Sequence, residues 1–392
     1  MQRRLATAAA TTAAILALVD IPVNALPNAN ASVSDTDTSA LTEIAEDYFQ
    51  QRANMLTSNA PTDRFAATPV KTTRTMAAET QDDLAALIAK GDRYQEVDGG
   101  YTKAQVDVSL TESTVSGQKA TLRLTEHTRL YLPFTQEEID DGAPEYEEES
   151  LPHTVTFTKA EDGSWLLASD EADVEAGGPT PTTQVSAVDV EPETTDGGGK
   201  ADEDEGSKEG SSSTTPTGGT ETGSGLVKPA ATASYNYSKM EHYANQYWDD
   251  HNPAFRTYSG NDCTNFLSQI MRAGGWHNAG VSIAQRSSNK VWFYGSSAIT
   301  TSYTWGGAEN WYWFAVKHSK RTKVLRSVWD MLTTDVLQAD WNRNGVIDHS
   351  MFVTKKYRGV PYLTYHTTDT HNKSLKKILS DAPRAFYYAH RT

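Results

Sequence analysis

Along the chain, the spacing of apolar residues changes character several times. Leu5 to Val19 is a short apolar run rich in alanine and leucine, preceded by Arg3 and Arg4. Leu41, Ile44, Ala45, Tyr48 and Phe49 then fall on one side of a predicted helix over 41–56, and a second helical stretch lies near Asp83 to Ile88. Beyond it the period shortens to that of strands in Ala104 to Leu110, Lys119 to Tyr131 and His153 to Lys159. An Asp162-Gly163 turn leads into a further strand, Ser164 to Leu167. Helices followed by a strand meander predict a small α+β domain over residues 40–172. The polar stretch Ser32 to Ser39 before it is expected to be disordered.

Residues 173–232 are rich in Gly, Ser, Thr, Pro, Asp and Glu and nearly free of large apolar side chains. Such a segment buries too little apolar surface to offset its ordering entropy, so a solvated, disordered linker is expected. It divides the chain into two domains. From residue 233 to 392 the composition turns aromatic, and of nine tryptophans only Trp165 precedes Trp248. Ser238 to Glu241 has the form of a capping box, and Met240, Tyr243, Ala244 and Tyr247 share a helical face that ends before Asn252-Pro253. The tract from Trp292 to Phe314, with Trp305, Trp311, Tyr312 and Trp313, could line a groove, but a domain of this size needs such residues as core.

The amino terminus adds a location. Positive residues, a short apolar run and the small-residue pattern Ala29-Asn30-Ala31 (with Val23-Asn24-Ala25 as an earlier alternative) read as a signal peptide over 1–31. The run is shorter than the roughly 20 residues of a spanning helix, so no stable membrane span is expected. The protein is expected to be secreted, at the cell wall or free, and to act as a monomer. The net charge of −16, from clusters such as Glu145 to Glu149 and Asp202 to Glu205, is unsuited to binding nucleic acid.

An exported chain with one cysteine can form no internal disulfide, so Cys263 needs another reason. It lies in Asn261-Asp262-Cys263-Thr264-Asn265-Phe266, where Asn261 or Asp262 can cap a helix start. Phe266, Leu267, Ile270 and Met271 form the apolar stripe of that helix, and Gly274-Gly275 stops it. Cys263 therefore falls in the first turn, ahead of the stripe. There the helix dipole and free N–H groups favour a thiolate and can hold an oxyanion. A thiolate needs a base. His349 opens a predicted strand over 347–354, and His366 closes another over 361–366, so the two could share one sheet face. His277, His318 and His371 have no comparable setting. A loop from Asp340 to Asp348 spaces Asp340, Asn342, Asn344 and Asp348 at alternate positions with Gly345 at the sixth, as calcium loops do. Met351 stands where such a loop needs a glutamate, so an Asx-rich turn is the competing reading. Apart from structural calcium, no cofactor is implied.

Two resemblances follow. The 40–172 segment, by its pattern and its closing DGSWLLASDE strand, resembles cystatin-like and NTF2-like α+β modules. The blocks YANQYWDDHNPAFRTYSGNDCTNFLSQIMRAGGW, DWNRNGVIDHSMFVTKK and YLTYHTTDTHNKSL, over about 235–390, resemble an amidase-domain family of secreted bacterial proteins. That family is itself similar to papain-like peptidoglycan amidases of the CHAP and NlpC type. The resemblance implies a helix bearing the cysteine packed on an antiparallel sheet. Cys263 matches its nucleophile, His349 its base, and His366 its third polar position, with Asp369 the alternative. The implied activity is hydrolysis of an amide, plausibly in cell-wall peptide. Acyl transfer by the same residues and a non-catalytic wall-binding module are the rival readings.

Overall fold

The computed structural model describes residues 35–58, 70–173, 183 and 235–392. The expected signal segment and all of the expected linker except Asp173 and Thr183 lie outside the described residues.

The first half runs α1 (Asp35–Asn54), α2 (Arg74–Glu96), β1 (Lys103–Ser116), β2 (Lys119–Tyr131), a short α3 (Gln136–Asp140), β3 (Tyr146–Lys159) and β4 (Trp165–Ala172). Helix α1 starts at Asp35, inside the stretch expected to be disordered, because its polar first turns extend a helix already anchored by Leu41, Ala45, Tyr48 and Phe49. Helix α2 is far longer than its apolar signal at 83–88. Met76, Leu87 and Tyr94 recur on its buried side, and the Thr73 side chain caps its first turn.

The second half runs α4 (Tyr237–Gln246), α5 (Cys263–Ala273), α6 (Tyr303–Gly306), α7 (Ala308–Tyr312), β5 (Lys323–Val324), β6 (Val336–Asp340), β7 (His349–Tyr357), β8 (Val360–Tyr365), β9 (Asp369–Ser374), α8 (Leu375–Asp381) and β10 (Phe386–Arg391). Helix α4 is capped by Asn236, which accepts from Lys239 N, and not by the expected box at Ser238.

The expected division into two domains does not hold as a division of packing. One antiparallel ten-stranded sheet runs through both halves in the order β1-β2-β3-β9-β8-β7-β6-β10-β5, with β4 also on β3. The junction is β3 on β9, where Glu148, Glu149 and Ser150 face His371, Thr370 and Asp369. Tyr357 and Tyr362 from the second half complete the core of the first. Strand β3 starts at Tyr146, well before its alternating pattern, and so carries Glu147, Glu148 and Glu149 into the interior, while Glu145 stays exposed. Glu147 meets Lys377 and the Tyr101 hydroxyl, and Glu148 meets Arg129 and His371. Thr183 is buried as well, its carbonyl taking a hydrogen bond from Arg52 and its N–H donating to Glu149, which corrects the solvated-linker expectation at that residue.

Alternation along the strands sorts side chains to two faces. Val336 and Phe352 pack with Phe266, Leu267, Ile270 and Met271 of α5. Leu337, Ala339, Met351, Val353, Leu363 and Tyr365 pack on the other face with Leu375 and Ile378 of α8. Trp292, Trp305, Trp311 and Phe314 fill the core on the α5 side, while Trp313 is exposed. Among the described residues no helix is long and apolar enough to cross a membrane.

Candidate active site

Helix α5 is buried from Cys263 to Met271, more completely than one apolar stripe requires. Its polar positions are satisfied from several sides. Asn265 donates to Arg256 O and to Asp262 while accepting from Trp305 Nε1 at 2.7 Å. Ser268 donates to Trp305 O and accepts from Trp292 Nε1. Gln269 accepts from the Tyr243 hydroxyl at 2.6 Å. These bonds fix the helix against α4 and α6, so its first residue is held firmly. At the other end α5 stops at Ala273 as expected. A Cβ on Gly274 would lie 2.2 Å from Met240 Cε, so glycine there lets α4 approach.

Cys263 is the first residue of α5 and is 1% exposed. Asp262 occupies the cap position, yet its side chain makes no capping bond, contrary to the sequence expectation. The carboxylate instead accepts from Tyr258 N at 2.8 Å and from Asn265, and it meets His366 Nδ1 at 2.8 Å. His251 Nδ1 stands 3.6 Å from the same carboxylate, and its Nε2 is 3.5 Å from Asp369. Burial alone would raise the Asp262 carboxyl, but its contacts with His251 and His366 prevail and bring it down to about 2. His251 is pushed up to about 10, chiefly by its pairing with the Asp262 and Asp369 carboxylates. The His366 ring lies flat on Phe266, centroids 3.8 Å apart, and its Nε2 faces Tyr247 O at 2.7 Å. Both its nitrogens thus face oxygen acceptors.

His349 and His366 do not share a sheet face, which corrects that expectation. Ser350, next along β7, points at α5 and is 2.9 Å from the Thr264 hydroxyl. The ring of His349 therefore turns the other way, to Trp341 and Tyr365 at 5.8 and 5.2 Å between centroids. Its burial lowers the ring to about 3, and Nε2 has no hydrogen-bond partner. His390 on β10 is also lowered to about 3 by burial, and neither of its nitrogens is partnered. His277 and His318 are exposed, and His371 is bonded to Glu148 and Asn245.

The structure thus brings Asp262, His251, His366 and Asp369 together at the start of the cysteine helix. Sequence reasoning missed His251 altogether and read Asp262 only as a cap. The signal available was a carboxylate immediately before the cysteine, with Asp249-Asp250-His251 a short loop upstream. His251, His366 and Asp369 offer ligand atoms within 4.8 Å of one another. In the Asp340–Asp348 loop, the oxygens of all four candidate ligands accept from backbone N–H groups: Asp340 from Asn344 and Gly345, Asn342 from Asn344, Asn344 from Val346, and Asp348 from Trp341. That is the bonding of an Asx-rich turn.

A family model described as "Putative amidase domain" matches residues 234–389. The "Uncharacterized protein YhbB" of Bacillus subtilis is 29% identical over 129 residues, or 33% of this chain and 40% of that protein. The chain therefore spans well under half of that relative's length. Among solved structures, the Kfla4162 protein from Kribbella flavida matches 35% of this chain and 91% of its own at 19% identity and a TM-score of 0.22. An "Ntf2 like protein involved in plasmid conjugation" matches 43% of this chain and 57% of its own at 16% identity and a TM-score of 0.21.

Proposed function

We propose that the second half of the chain breaks amide bonds in an exported, cell-wall setting, with Cys263 as nucleophile. The observation that carries this reading is the position of the single cysteine at the first residue of α5, beside a cap residue whose carboxylate makes no bond to the helix N–H groups. The first-turn N–H groups are left to a substrate oxyanion instead of a capping side chain. The match of an amidase family model over 234–389 supports the same chemistry. In the reaction, the thiolate attacks the amide carbonyl, the amine leaves with a proton, and water releases the acyl group from sulfur. An amine in place of water would give acyl transfer.

Protonation state separates the histidines as bases. A base must be neutral with a free lone pair. His349 is held neutral by burial, and its Nε2 is unpartnered. His366 is tied at both nitrogens and His251 is held charged, so neither offers a free lone pair. His349 is accordingly the proposed base, and a thiolate formed beside it would raise its proton affinity. In this geometry the ring packs on Trp341 and Tyr365, on the face away from α5, so the assignment requires a backbone change at His349, the first residue of β7, and not a rotamer change alone.

Digestion of purified peptidoglycan, followed by the release of new amino groups, tests the reading in the full chain. Wild type should release them, Cys263→Ala should not, and His349→Asn should lose at least a hundredfold. Equal release by wild type and Cys263→Ala would remove the thiol mechanism. Full activity in His349→Asn would remove that residue as base.

A further inference from the structure

We propose that the cavity beside the amino-terminal end of α5 is a subsite for a carboxylate carried by the substrate, and that Arg286 is its specificity-determining residue. The proposal rests on the reading of Cys263 as an amide-attacking nucleophile and names a chemical class for its substrate. The cavity is about 290 Å³, and its lining includes Tyr258, Asn261, Arg286, Thr301, Tyr303 and Gly306. Both walls are tied to the cysteine helix. Tyr258 and Asn261 belong to the turn that enters Asp262 and Cys263, closed by Asn261 N to Tyr258 O, and Tyr258 N donates to the Asp262 carboxylate. The opposite wall is α6, held to α5 through Trp305 by Asn265 and Ser268.

The charge of this cavity is unbalanced. Arg286 donates Nε to Thr301 O at 3.1 Å, Nη2 to Ala298 O at 3.0 Å and Nη1 to the Tyr303 hydroxyl at 3.1 Å. Arg256 approaches the same residue from the other side, donating Nη1 to the Thr301 hydroxyl at 2.9 Å and to the Tyr258 hydroxyl at 3.0 Å, with Nη2 on Gly295 O. Every one of these acceptors is neutral. Among the described residues neither guanidinium has an ion pair, although the whole chain carries a net charge of −16. Two like charges converging on Thr301 without an anion leave a site that a carboxylate would complete, by charge-assisted hydrogen bonds in the geometry guanidinium favours. Tyr303, whose ring lies 4.4 Å from the Arg286 guanidinium, holds that group at the cavity wall. A Cβ on Gly306 would meet nothing within 4 Å, so this position opens onto free space.

The test separates binding from turnover. Acetylglycine and its neutral amide, acetylglycinamide, are titrated by ligand-observed NMR into the full chain carrying Cys263→Ala. The acid should bind at least tenfold more tightly than the amide. Arg286→Gln should abolish that preference, Arg286→Lys should restore part of it, and Gly306→Leu should weaken both probes with the fold unchanged by circular dichroism. Equal binding of acid and amide, a preference unchanged in Arg286→Gln, or no binding of acetylglycine overturns the proposal. Should Arg286→Gln fail to fold, unaltered binding in Gly306→Leu overturns it instead. No turnover enters this measurement, so failure of the subsite is distinct from failure of the thiol mechanism, which the peptidoglycan digestion reads.

Discussion

Lys377→Met should destabilise the protein severely, because it breaks an ion pair that joins the two halves inside the core. Lys377 Nζ lies 2.9 Å from Glu147 Oε2, and both side chains are fully buried. The Tyr101 hydroxyl donates to the same carboxylate at 2.8 Å, and the ammonium sits 3.7 Å from the Tyr101 ring centroid. Burial pushes the Glu147 carboxyl up, but Lys377 and Lys373 outweigh it and hold the group below its usual range. Removing the lysine leaves a buried carboxylate without the ammonium that stood 2.9 Å away. Breaking such a pair costs about 3–5 kcal/mol, whereas replacing both partners with apolar groups of similar shape is often near neutral. Urea unfolding followed by tryptophan fluorescence measures this. Lys377→Met should lower stability by about 4 kcal/mol, and adding Glu147→Leu should recover more than half of that. A loss below about 1 kcal/mol in the single variant, or no recovery in the double, would refute the claim that this contact couples the halves.

Other outcomes follow from the same geometry. His349 and His390 have folded values of about 3, below their ordinary 6.5, so the unfolded chain binds their protons first as pH falls. Stability should therefore decline below pH 6.5 by about 1.4 kcal/mol per pH unit for each ring. Asparagine at either position should flatten the denaturation profile between pH 6.5 and 3, and an unchanged slope would contradict the burial argument. His251 is raised to about 10, so its contribution is full below pH 6.5 and fades as pH climbs toward 10. Thermal melts of His251→Gln and wild type should accordingly converge at high pH. Residues 235–392 produced alone would expose the β9 edge and leave Lys377 without Glu147. Aggregation or a non-cooperative melt is expected, and a soluble fragment melting like the whole chain would count against the shared sheet. Gly274→Ala forces a methyl against Met240 and should cost about 1–3 kcal/mol, with Met240→Ala restoring part of the loss.

Several elements were legible before the fold was known. Strand β2 coincides with its alternating segment, Lys119 to Tyr131, since one buried face is enough to write period two into the sequence. Helix α5 and its glycine stop were readable because an apolar stripe and a C-terminal glycine are local signals. The start of β3 was not legible. Nothing local marks Glu147 and Glu148 as interior positions, because the partners that allow their burial, Lys377 for the first and Arg129 and His371 for the second, come from other elements. For the site, the cysteine stood out by solitude and position. His251 did not, because its significance depends on Asp262 and Asp369, which lie 11 and 118 residues further along the chain.

The sequence by itself determined that the chain has an apolar run beside two arginines, a polar middle stretch and one cysteine at the start of an amphipathic helix. Those features are local, carried by composition, by periodicity and by the residues flanking one helix end. Only the tertiary structure decided that the two halves share one sheet, that Asp262 gathers histidines instead of capping α5, and that His349 and His366 face opposite ways. Strand parity turns a one-residue difference in register into the opposite face of a sheet, and the partners of buried charges are chosen by strand pairing. Neither is written in any short stretch of chain.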